Sequence, residues 1–175
     1  MTPDQINTLL VFAALAAVAG VAAYYIARYL KGSIAISLPR TAFNAGEQVE
    51  GSFQLLTRKE VNANNLTAAL VATEVTKERG YKGRTTTHTR EIYRSGQTLE
   101  HARVYPAGYQ ANYNFKILAP ESERPFGQGT VLGSTMEMLT GLGRRVDWRI
   151  EVRLDAEGVD LAASKKISVG RSNFF

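Results

Sequence analysis

The chain has 175 residues, 45% of them hydrophobic and 21% charged, with 21 basic against 16 acidic side chains and a net charge of +5. It contains no cysteine, which excludes disulfides, zinc–thiolate centres and cysteine nucleophiles and fits a reducing compartment. The basic excess suits an anionic lipid surface or an acidic partner.

Residues 1–8 read as a short tail and residues 9–30 as a transmembrane helix. The uncharged run 9–27 is about 29 Å long as an α-helix, enough to cross a hydrocarbon core. A cleavable signal peptide fits less well, because residues 1–8 carry Asp4 and no Lys or Arg and the apolar run is long. Tyr24, Tyr25 and Tyr29 suit a membrane–water boundary, and Arg28 and Lys31 follow. Positive flanks stay on the cytoplasmic side, so the expected topology is single-pass in a cell inner membrane, N-terminus outside and C-terminal domain cytoplasmic. The helix is rich in alanine, and Ala16 and Gly20 form a small-x-x-x-small pair. They mark either a face packed against partner helices or ordinary alanine usage in a lipid-facing anchor.

Residues 33–170 have the size of one domain, with 171–175 as a C-terminal tail. Their periodicity is two. In the stretch Val146, Trp148, Ile150, Val152, Leu154, each intervening residue is charged, the pattern of a strand with one face on a core and one in water. Ile34, Ile36 and Leu38 repeat it, as do Val49, Gly51, Phe53 and Leu55, then Tyr113, Phe115 and Ile117, and Ile167 with Val169. Residues 66–75 are apolar on both faces and predict a central strand. Residues 84–94 and 97–104 complete a set of about eight, with turns expected at 44–46, 79–83, Ser95-Gly96 and 156–158. The class is mainly β: an antiparallel β-sandwich behind one N-terminal transmembrane helix.

The run Phe43, Gly46, Glu47, Val49, Gly51, after an opening strand that ends near Pro39, resembles the start of the second strand of arrestin-type, Ig-like sandwiches, a group that includes sporulation-control-like proteins. Trp148 to Asp155, then Gly158, Asp160, Leu161, Lys165, Ile167 and Val169, are similar to the closing strands of that domain. The resemblance covers residues 33–170 and implies a sandwich used for protein–protein contact without catalysis. Gly46 then serves a turn and Gly51 a close strand approach. The single sandwich and the N-terminal span depart from arrestins, so receptor recognition and the two-domain switch are not carried over.

Catalytic chemistry is not legible. His88 and His101 stand outside any zinc-ligand spacing, and the short Gly-x-Gly pairs at Gly127 and Gly141 are no phosphate-binding fingerprint. No cofactor, metal or small-molecule substrate is expected, and the chain reads as no enzyme. Nucleic acid is not expected either, since a lone Tyr81 among threonines makes no stacking platform.

Two segments carry the contact expectations. Residues 77–90 gather Lys77, Arg79, Tyr81, Lys82 and Arg84 in a basic hairpin that meets lipid or an acidic partner, or is a solvated tip. Residues 130–143 place Val131, Leu132, Met136, Leu139 and Leu142 in a glycine-bounded connection with a Ser134, Glu137 capping box. That piece either seals the sandwich or docks on a partner or membrane. The expected function is a non-catalytic accessory or scaffolding subunit of a multi-subunit inner-membrane complex, its partners being membrane lipid and other transmembrane helices or subunits. The alternative is a stand-alone membrane-anchored adaptor or sensor that binds soluble partners or anionic lipid.

Overall fold

The computed structural model describes residues 3–79, 85–121 and 144–170. Helix α1 covers Pro3–Lys31 and is followed by nine described strands: β1 Gly32–Ser37, β2 Ala42–Asn44, β3 Gln48–Thr57, β4 Val61–Arg79, β5 Thr85–Glu100, β6 Arg103–Tyr105, β7 Gln110–Leu118, β8 Arg144–Ala156 and β9 Leu161–Gly170. Strands β1-β3-β7 make a small sheet. Strands β2-β9-β8-β4-β5 make a large one, with β6 added to β4.

The core between the sheets follows the alternating apolar positions. Trp148, Ile150, Val152 and Leu154 of β8 face Phe53 and Leu55 of β3 and Phe115 and Ile117 of β7, all buried in one cluster. Burial of each such side chain stabilises the fold by about 1.5–3 kcal/mol. Gly46 has φ of 74°, the left-handed conformation that its turn requires. A Cβ on Gly51 would lie 2.5 Å from Leu38 Cδ2 and 2.6 Å from Phe115 Cζ. Both glycines thus do what the resemblance implies.

Strand β4 is central, paired with β5 on one side and β8 on the other. Its inward residues Leu66, Ala68, Leu70 and Ala72 belong to the core, yet the alternate residues Ala69, Val71 and Thr73 are buried as well. Arg94 and Arg149 flank Val71 in register and roof it. Arg94 bonds Glu91 (2.7 Å) and Glu151 (3.0 Å), while Arg149 bonds Glu151 (2.6 Å) and the Thr73 hydroxyl (2.6 Å). The methylene stems bury the small apolar residues and leave the charges in water.

Two details differ from the sequence reading. Ser95-Gly96 is no turn: Ser95 pairs with Leu70 and Gly96 with Ala69 inside the single strand β5. Irregularities at Leu66/Thr67 and Ala72/Thr73 bend the pair, and a bulge there lets sixteen residues run on without a break. Strand β2 runs parallel to β9, because the chain leaves the small sheet after β1 and crosses to the edge of the large one before returning in β3.

Candidate functional site at the helix–sandwich junction

Helix α1 passes into β1 with no linker, and the junction is built from residues distant in sequence. A helix leaves its last carbonyls without intrahelical donors. Here Arg58 takes two of them: its backbone N–H donates to the Lys31 carbonyl (3.0 Å) and its guanidinium donates to the Tyr29 carbonyl while lying 3.9 Å over the Tyr29 ring. A cation at this end also complements the helix dipole. Arg28 donates to the Ala162 carbonyl at the start of β9.

Lys31 is only 6% exposed. Its Nζ donates to the carbonyls of Glu157 and Val159, each at 2.6 Å. Those carbonyls are held in place by their loop. Gly158 between them has φ of 82°, and Asp160 accepts from the Ala156 N–H (3.0 Å) and from Arg153 Nε (3.0 Å). Burial pushes the Asp160 carboxyl up, but the Ala156 N–H and Arg153 outweigh it and hold the group below its ordinary value. Gly32 follows at once, and a Cβ there would overlap the Leu56 carbonyl oxygen and lie 3.0 Å from Thr57 Cα. Only glycine fits.

The β6–β7 turn closes the same end. Thr57 pairs with Gly32, and its hydroxyl and backbone bond Pro106, Gly108 and Tyr109. Beside it Tyr105, fully buried, donates to Glu100 (2.5 Å), and Arg103 lies over the Tyr105 and Tyr109 rings. Burial and then the Glu100 bond push the Tyr105 phenol well above its usual range. These contacts join elements and present no nucleophile with a base. Among the described residues no group of three or more His, Asp or Glu side chains is placed to hold a metal.

Helix α1 is long and apolar enough to cross a membrane, with mean hydropathy 1.5 over Phe12–Lys31. Among the described residues, Phe12, Leu15, Val18, Val21, Tyr25 and Ile26 are all exposed, so the domain covers no face of the helix between residues 12 and 26. Ala16 and Gly20 lie on that bare helix, and a Cβ on Gly20 would meet nothing within 4 Å. Lys77 is exposed at the other end of the sandwich, paired with Thr87, and Arg79 pairs with Thr85. The Arg79 side chain and residues Tyr81, Lys82, Arg84, Val131, Leu132, Met136, Leu139 and Leu142 lie outside the described residues. Lys77 stands sixteen residues beyond Val61 on β4, about 50 Å along the strand from the helix end. The structure therefore separates the anchor pair from Lys77. A groove of about 710 Å³, bordered by Thr41, Glu74, Arg145, Trp148, Lys166 and Val169, opens at this distal end.

The sequence reading missed Arg58, Gly32 and the carbonyls of residues 157 and 159. It took Arg28 and Lys31 as topological flanks only. The glycine directly after the helix was the one local sign of a joint.

The architecture defines an arrestin-like β-sandwich carried behind one apolar helix. The fold is similar to the crystal structure of Spo0M, a sporulation control protein from Bacillus subtilis, with TM-score 0.56 and 14% identity over 80% of this chain and 49% of that one. The chain thus spans about half the length of that structure. No protein-family model and no curated protein matches the sequence.

Proposed function

We propose that the chain is a non-catalytic accessory or scaffolding subunit of a multi-subunit inner-membrane assembly, held by α1 with its sandwich in the cytoplasm. One observation carries this reading: a helix whose residues 12–26 are bare on every face is joined without a linker to a β-sandwich. An exposed apolar helix needs lipid or neighbouring helices, and a rigid joint is of use where the domain must be presented in a fixed orientation. Arg28 and Lys31 at the sandwich side support the cytoplasmic placement.

Purification in mild detergent tests it. A stable stoichiometric complex of this chain with other membrane subunits is the expected result; a lone monomer contradicts it. The second reading, a stand-alone anchored adaptor, draws on the basic hairpin. Its distance from the helix end favours a soluble partner over lipid of the same bilayer.

A further inference from the structure

A membrane helix brings whatever stands at its end to the level of the lipid headgroups, where basic side chains meet the phosphates of that leaflet. In α1 the uncharged run ends at Ala27, and Arg28 is the first charge after it. Tyr25 and Tyr29, one turn apart, bracket Arg28 on the same side of the helix. Against this side the sandwich leaves a cleft of about 260 Å³, bordered by Tyr25, Arg28, Tyr29, Ser33, Ile34 and Leu161. The segments around it, 25–37, 56–63 and 156–164, are described throughout.

The lining suits an amphipathic ligand that carries a negative charge. Ile34 and Leu161 supply apolar walls, and Ser33 is exposed at the opening. Arginine presents five N–H donors in a planar fork that matches a phosphate. Among the described residues Arg28 spends a donor only on the Ala162 carbonyl, which leaves the others for a ligand. No carboxylate borders the cleft among those residues. Arg58, 3.9 Å over the Tyr29 ring, adds a second cation behind one wall. A zwitterionic headgroup would bring its ammonium beside these two guanidiniums with no carboxylate to receive it. We propose that the cleft binds one anionic phospholipid of the leaflet at the helix end, with Arg28 holding its phosphodiester.

The opposite face of the helix end makes the contrast. There a cleft of about 300 Å³ holds Lys31 and Lys59 but also Glu60 and Glu157, and Lys31 Nζ is already engaged by two carbonyls. Its charges balance within the protein. The lipid site rests on α1 lying in a bilayer, as proposed above, and adds a specific lipid to what the anchor holds.

The test offers the full chain, in mild non-ionic detergent, phosphatidylglycerol or phosphatidylcholine with the same acyl chains, and native mass spectrometry counts the lipids retained. One phosphatidylglycerol should be held, about fivefold or more tightly than phosphatidylcholine. Inorganic phosphate at the same concentration should leave it in place. Arg28→Gln should abolish the preference. Ser33→Glu, which sets a carboxylate at the cleft and spares the Arg28 bond to Ala162, should do the same with the melting temperature retained. Lys59→Gln should keep the preference. Equal retention of the two lipids, displacement by inorganic phosphate, a preference kept in either cleft variant, or one lost as fully in Lys59→Gln would each overturn the site. A chain that stays with carbonate-washed membranes yet shows no lipid preference overturns the site alone. Loss from those membranes overturns the anchor, and lipid preference in a chain that co-purifies with no other subunit overturns the subunit reading alone.

Discussion

Gly32 shows how one residue decides whether two parts of a chain act as one. The helix ends at Lys31, and the next Cα sits where a side chain would overlap the Leu56 carbonyl. Gly32→Ala should therefore break the β1–β3 register at its first pair, at a cost of about 2–4 kcal/mol, read as a lowered melting temperature and faster proteolysis between Tyr29 and Ile34. Glu47 is the second case. The Asn44 N–H (2.7 Å) and then Arg40 hold its carboxylate below the ordinary value of 4.5. A depressed carboxylate contributes stability that is present above the unfolded value and is lost as pH falls through the folded one. The stability gap between the native chain and Glu47→Gln should be constant near neutrality and narrow below about pH 4.5; a gap unchanged down to pH 3 would remove Glu47 from the turn.

At the scale of elements, β8 and the turn before β3 were legible because their signals are local. Period two places Trp148, Ile150, Val152 and Leu154 on one face, and Gly46 with Glu47 shapes a turn within four residues. Strand β5 was misread at Ser95-Gly96, a dipeptide that locally favours turns; only its pairing to Leu70 and Ala69 on β4 decides otherwise. That pairing has a consequence. A Cβ on Gly96 would meet Ala68 O and Ala69 Cβ at an ordinary 3.6 Å, so Gly96→Ala should be neutral or stabilise by about 0.5–1 kcal/mol. A destabilised variant would argue for a turn. The junction was hidden for the opposite reason: Lys31 and Glu157 are 126 residues apart, and no local pattern joins them. For α1 itself, a Cβ at Gly20 would meet nothing within 4 Å, so Gly20→Leu should keep membrane insertion and domain stability. Retention in a complex should fall if Ala16 and Gly20 pack on a neighbouring helix, and unchanged retention would sink that packing.

For the whole molecule, the linkerless joint sets a polarity. The turns at residues 58–60, 106–109 and 157–160 gather beside the helix end, while Lys77, the β5 residues 85–90 and the 710 Å³ groove share the opposite end. On the proposed function, this polarity sets the far end of the large sheet away from the bilayer that holds α1. Because the sequence has no cysteine, single labels report on this directly. Full-length protein in nanodiscs with a headgroup quencher, labelled in turn at Lys59→Cys and Thr87→Cys, measures which end meets the membrane. The account predicts strong quenching at residue 59 and none above background at residue 87; equal quenching at both, or stronger quenching at residue 87, would contradict it.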